Sequence, residues 1–248
     1  MVQEQQPELT IVTWLWNGWR PVYDFTHVNA MVRMLGAFCS VPHRVICVTD
    51  CATNIECETL PLWDIDFTVL GINGLPVQGR VVNRGERGLL HYPNSYRRLK
   101  MFSPWAAEQF PGKVLSIDLD AVILNDLAPL LTDHDFRINE GKCCPYNGGM
   151  WMHRTGTRLH AWERLDENAF RKTSARGYIG SDQAWLAHIL PGEATWNRDH
   201  GVYHFSHSKQ GEDFSPCRVM FTAGGTKPWH PQFAARFPEL AAAYRRFL

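Results

Sequence analysis

The chain has 248 residues, 45% of them hydrophobic and 20% charged, and its 25 basic residues balance 25 acidic ones. That describes one soluble globular domain, residues 1–248, able to bury a sizeable core, with no net field to draw it to nucleic acid or an anionic membrane. No run approaches the ~20 apolar residues of a membrane helix, and MVQEQQPELT lacks the basic and apolar regions of a signal peptide. The 7 cysteines are an odd number without a zinc-site spacing, which points to reduced thiols and a cytoplasmic location.

In chain order, Leu9 to Trp16 reads as a buried strand, followed by a loop at Gly18 and Pro21. Val22 to Phe38 has helical spacing, with Val28, Met31, Val32 and Leu35 on one side. His43 to Thr49 is a second apolar strand ending at Asp50, and Phe67 to Leu70 a short third. Gly71 to Asn94 is loop-like, rich in Gly and Arg, and irregular chain of that length is usually functional. Ser95 to Phe110 reads as a helix and Lys113 to Leu119 as a strand. Asp126 to Leu131 is a short helix or turn, and Tyr146 to His153 a strand. Thr155 to Phe170 and Ser181 to Leu190 read as helices, Val202 to Phe205 and Arg218 to Phe221 as short strands, and Pro231 to Phe247 as a terminal helix. Alternation of strand and helix in the first half argues for a mainly parallel sheet flanked by helices, with a mixed C-terminal region. Ligands in such sheets bind beyond the carboxyl ends of strands, where Asp50, Asp118 and Asp120 fall.

The segment VLSIDLDAVIL, Val114 to Leu124, carries the sharpest chemical signal. In a strand, residues i and i+2 share a face, so Asp118 and Asp120 aim the same way at the end of an apolar run. Two adjacent carboxylates repel and desolvate poorly, and a divalent cation relieves both problems. A plain polar turn is the bland alternative. Asp-x-Asp after an apolar strand also resembles haloacid dehalogenase phosphatases, whose first Asp is a nucleophile, but the late Gly-Asp acidic motif of that family is missing.

Four further segments follow in order: NSYRRLK from Asn94, PYNGGMWM from Pro145, GSDQAWL from Gly180, and GGTKPW from Gly224. With the acidic pair they resemble the nucleotide-sugar glycosyltransferases of the GT-A, Rossmann-like fold, family 8 and its bacterial relatives above all, across residues 9 to 230. The resemblance implies transfer of a sugar from a nucleoside diphosphate sugar, UDP-hexose by preference, to an acceptor hydroxyl with retention of configuration. It also implies roles. Asp118 and Asp120 would hold Mn²⁺ or Mg²⁺ against the donor diphosphate, Asp118 touching the ribose as well. Arg98 would contact the donor sugar or phosphate, and Asn147 the sugar, with Gly148 and Gly149 permitting close backbone approach. Asp182 would bind sugar hydroxyls and Gln183 lie beneath the anomeric carbon. Lys227 would neutralise the leaving diphosphate, with Gly224 and Gly225 lining it. Thr13 and Asp50 would cradle the nucleoside.

In one place the chain departs from the pattern. The family's late metal-binding His falls on Phe221, and Thr222 and Ala223 follow, so either the metal has lost a protein ligand or another histidine replaces it, with His204, His207 and His230 as the candidates. The acceptor is a saccharide or small molecule by default. The Arg-rich stretch Arg80, Arg84, Arg87 and His91 would also suit a hydroxymethylated DNA base flipped into the site. Two other readings stay open: a nucleotide-sugar-binding protein without turnover, and a metal-dependent phosphatase or nucleotidyltransferase using the same acids.

Overall fold

The structure is a computed structural model and describes residues 9–16, 23–74, 93–131, 134–142, 144–178, 180–222 and 226–248. Strand β1 (Leu9–Leu15) is buried along its whole length, as its run of apolar and β-branched residues requires. Helix α1 (Phe25–Phe38) begins three residues later than its hydrophobic spacing suggests. Asp24 caps it: its carboxylate accepts from the Thr26 amide at 3.0 Å, and the Asp24 amide donates to His27 Nδ1 at 3.1 Å. Strand β2 (His43–Thr49) follows, then β3 (Glu58–Pro61). The strand expected at Phe67 to Leu70 does not form, and the Leu70 amide donates instead to the Glu167 carbonyl at 2.8 Å.

The helix expected from Ser95 to Phe110 is divided. Residues Pro93–Phe102 wind as a 3-10 helix, and α2 (Pro104–Gln109) starts afresh behind Ser103, whose hydroxyl caps it. Pro104 explains the break, since a residue before proline is pushed out of the helical region and Ser103 is extended. Strand β4 (Lys113–Ile117) and the short β5 (Ala121–Ile123) flank the acidic pair. Strands β6 (Phe136–Glu140) and β7 (Tyr146–Arg154) form an antiparallel pair.

The helix expected from Thr155 to Phe170 is reduced to α3 (His160–Glu163), with α4 (Ala169–Ser174) beyond an Asp166 turn. Helix α5 (Asp182–Ile189) is followed by β8 (Thr195–Trp196), β9 (Val202–His204) and β10 (Val219–Phe221). The terminal segment splits into α6 (Pro231–Arg236) and α7 (Pro238–Arg245), because Pro238 forces Phe237 out of helical geometry.

The strands form a mainly parallel seven-stranded sheet of order β3-β2-β1-β4-β7-β6-β8 and a three-stranded sheet of order β5-β10-β9. The chain divides into two compact units. The first comprises Met1–Leu62, Leu115–His134 and Trp196–Leu248, the second Trp63–Val114 and Asp135–Thr195. In the first, β1 and β2 pair in parallel from Leu9↔His43 to Leu15↔Thr49, and Val28, Met31, Met34 and Leu35 of α1 are fully buried. In the second, Phe102, Trp151 and Trp185 are buried, with the Trp185 indole donating to the Ala161 carbonyl at 2.7 Å. Among the described residues no helix is long and apolar enough to cross a membrane. Among the described residues Cys39, Cys47, Cys51, Cys57 and Cys217 form no disulfide.

Candidate functional site

The functional candidates gather in two clusters, one in each unit. In the first unit, β4 ends at Ile117, so Asp118 and Asp120 do not alternate along a strand. They bracket a turn, closed by the Ala121 amide donating to the Asp118 carbonyl at 3.2 Å. Antiparallel pairing of β5 with β10 sets Ala121 opposite Phe221, which places Thr222 beside Asp120. The Thr222 hydroxyl donates to the Asp120 carboxylate at 3.1 Å. The Lys227 ammonium donates to the same oxygen at 2.5 Å, and the two side chains are only 11% and 10% exposed. The Tyr23 hydroxyl hydrogen-bonds that carboxylate too. Burial and the charges of Asp120 and Asp118 push the Tyr23 phenol well above its ordinary range, so it stays a donor. The Lys227 nitrogen lies 5.3 Å from the centre of the Tyr23 ring, and Trp229 packs edge-on against Tyr23 at 5.6 Å. Asp120 thus collects a cation and two hydroxyls, and Asp118 is half-buried beside it.

In the second unit, the neighbours Arg97 and Arg98 point to different partners. Arg97 bonds Asp64, while Arg98 is buried against Asp182, donating from Nε and Nη2 to Oδ2 at 2.7 and 2.5 Å. Both of these bonds to Asp182 fall on one oxygen. The other, Oδ1, has the Ser181 hydroxyl at 3.4 Å, which leaves acceptor capacity for a ligand hydroxyl. Asp182 opens α5, where a carboxylate also gains from the helix dipole.

Strand β7 brings its glycines to this pair through a bulge. Asn139 pairs with Asn147 and Ile138 with Trp151, so three residues of β7, Gly148 to Met150, face none of β6. A Cβ on Gly148 would lie 2.9 Å from Arg98 Nη2 and 3.3 Å from the Asp182 carboxylate, a close approach open only to glycine. The Gly148 amide donates to Gln183 Oε1 at 3.1 Å, and the Gly149 amide to Asn147 Oδ1 at 2.9 Å. Gly180, at φ +114, leads the chain into α5, and a side chain there would strike Gln183 at 2.7 Å. Tyr96 lies in the field of Asp182, with its hydroxyl buried and unpartnered among the described residues.

Other sequence candidates stand apart from these clusters. Thr13 is fully buried and its hydroxyl donates to the Ile117 carbonyl at 3.2 Å, so it ties β1 to β4 rather than facing a nucleoside. Asp50 is exposed at the end of β2. Gly224 and Gly225, and the Arg80 to His91 stretch, lie outside the described residues. His204 stacks toward Phe221 at 5.7 Å, and burial, with His207 nearby, pushes its imidazole down to about 4. His207 is exposed on a cavity of about 450 Å³ lined also by Arg198, Lys209, Gln210, Gly211 and Glu212. That cavity contains none of the cluster residues, and its Arg198 is paired with Glu212. His230 caps α6 against Trp229.

Among the described residues no three His, Cys, Asp or Glu side chains come together to hold an ion, and Asp120 already faces an ammonium. The side chains that sequence reasoning missed are Tyr23, Thr222, Tyr96 and Ser181. Only Ser181 carried a local signal, a small hydroxyl ahead of a helix.

No family model matches the sequence, and no curated protein matches it. Solved structures do. One is the galactosyltransferase LgtC in complex with donor and acceptor sugar analogs, 17% identical, covering 96% of this chain and 100% of that one, with a TM-score of 0.54. Another is the glycosyltransferase GlyE of Streptococcus pneumoniae TIGR4, 10% identical over 96% of this chain and 63% of that one, at a TM-score of 0.53. The bifunctional glycosyltransferase WbbM is 13% identical over 99% of this chain and 53% of that one, at a TM-score of 0.54. At these identities the likeness is one of architecture, and the chain has the GT-A-type fold of glycosyltransferases.

Proposed function

We propose that the chain is a glycosyltransferase that moves a hexosyl group from a nucleoside diphosphate sugar, UDP-hexose by preference, to an acceptor hydroxyl. The observation that carries this reading is the buried Arg98–Asp182 pair with Gln183 and the Gly148 amide around it. Such a group binds neutral hydroxyls through fixed, charge-assisted hydrogen bonds, and the glycine lets Arg98 and Asp182 close on strand β7. The shared fold supports the same reading.

In this account Asp182 Oδ1 accepts from a sugar hydroxyl while Arg98 holds the carboxylate in place. Asn147 and Gln183 offer amides to the same sugar, and Gln183 stabilises the positive charge that develops at the anomeric carbon. Lys227 receives the negative charge that develops on the departing diphosphate. The bond from the anomeric carbon to the diphosphate oxygen breaks, the acceptor oxygen bonds to that carbon, and its proton passes to the diphosphate. Retention of configuration follows if the acceptor attacks from the leaving-group side. A saccharide or small-molecule hydroxyl is the acceptor class that the neutral chain best suits, with a hydroxymethylated DNA base as the second candidate. The sequence raised Mn²⁺ or Mg²⁺ as cofactor, but the donor set above gives no step to such an ion.

A screen of nucleotide sugars by thermal shift and UDP release tests this. Stabilisation by one nucleotide sugar, with slow UDP release, is the expected result. Release of inorganic phosphate would overturn it in favour of a phosphatase, and stabilisation without release in any acceptor mixture would leave a binding protein.

A further inference from the structure

The acidic pair of this chain is furnished with a cation of its own. Lys227 is buried on Asp120, and both charges have left water, so each depends on the other. Three groups fix the arrangement. Thr222 and Tyr23 bond the same carboxylate, and the Tyr23 ring lies beneath the ammonium. A divalent ion on Oδ2 of Asp120, the oxygen that Lys227 and Thr222 share, would have to expel the ammonium. The position at which the family pattern carries a histidine is Phe221, buried in β10, and the nearby His204 packs against that ring. An ammonium has three N–H donors, and one is directed at Asp120, which leaves two for phosphate oxygens.

Resting on the glycosyltransferase reading, we propose that Lys227, held in place by Asp120, is the fixed cation of the donor site, and that this chain binds a nucleoside diphosphate without a divalent metal. Asp120 is then a positioning residue for Lys227 rather than a metal ligand. Thr222 and Tyr23 keep the carboxylate aimed.

Calorimetric titration of the chelator-dialysed protein with UDP is the test, repeated in Mn²⁺ and in Mg²⁺. Affinity is expected to change by less than about twofold on adding either metal, while Lys227→Ala weakens binding by tenfold or more, a loss of about 1.4 kcal/mol that metal does not restore. Lys227→Arg, which keeps the charge, retains part of the affinity and guards against a variant that fails to fold. Electron paramagnetic resonance of Mn²⁺ with the wild-type protein is expected to show only the free ion. Binding of UDP only with metal, or a Lys227→Ala variant rescued by Mn²⁺, would overturn the inference and leave the glycosyltransferase reading intact. No UDP binding under any condition would overturn both.

Discussion

Asp120 and Asp182 are both buried carboxylates set against a basic side chain, yet their surroundings differ in a way that separates their roles. Asp182 faces a guanidinium, a planar, permanently charged group held at two nitrogens, and it stands at a helix start beside a glycine with no room to spare. Asp120 faces an ammonium on a flexible stem, bridged by two hydroxyls and roofed by an aromatic ring. An ammonium held on a carboxylate keeps further N–H donors for an arriving phosphate, whereas the arginine turns two of its nitrogens to one carboxylate oxygen. The second unit therefore offers a guanidinium-held carboxylate, suited to orienting a neutral sugar, and the first offers a held positive charge, suited to a diphosphate.

The largest expected break in this comparison is Asp182→Ala. It strands the Arg98 guanidinium in the interior, and a loss of about 3–5 kcal/mol in chemical denaturation should follow. Acid comes next and acts on both units. His204 in the first is held neutral, with its imidazole pushed from 6.5 to about 4, while the unfolded chain takes up a proton below 6.5. Its contribution is complete above pH 6.5 and is lost as pH falls toward 4, by at most about 3 kcal/mol. His153 in the second, fully buried with Nε2 on the Met101 carbonyl at 2.8 Å, is pushed down as well and acts in the same direction. Denaturation curves across this range should show stability falling with pH, and His204→Gln should flatten the slope.

Gly148→Ala should cost about 1–3 kcal/mol by crowding Arg98, and it should lower activity more than stability because it displaces the Arg98–Asp182 pair. The gentlest test is Thr222→Val. It removes one bond to Asp120 while keeping shape, and a stability change of about 1 kcal/mol with a small loss of UDP affinity is expected.

Much of this was legible in the sequence, for identifiable reasons. The strands β1, β2 and β4 are continuous apolar runs, and Asp118, Asp120, Asp182, Gln183 and Lys227 interrupt or border such runs, where a polar residue asks for a purpose. The short strands β3, β5, β6 and β8 were not legible, because two to five residues give no period to read. Two prolines were underweighted: Ser103-Pro104 and Phe237-Pro238 each end one element and start another. In the site, residue types were readable but partnerships were not. Arg98 meets Asp182 across 84 positions and Asp120 meets Lys227 across 107, separations at which no local pattern operates. The β7 bulge that delivers Gly148 depends on register with β6, and the Tyr23 and Thr222 bonds depend on tertiary packing alone.

The division of labour between the two clusters is tested most directly by comparing UDP and UDP-sugar affinities in Lys227→Ala and Asp182→Asn. The asparagine keeps the side-chain shape, and circular dichroism checks the fold of each variant. The account predicts that Lys227→Ala weakens UDP and UDP-sugar alike, whereas Asp182→Asn leaves UDP binding near wild type and removes the added affinity that the sugar confers. Equal losses of UDP binding in the two variants, or an undiminished sugar contribution in Asp182→Asn, would contradict it.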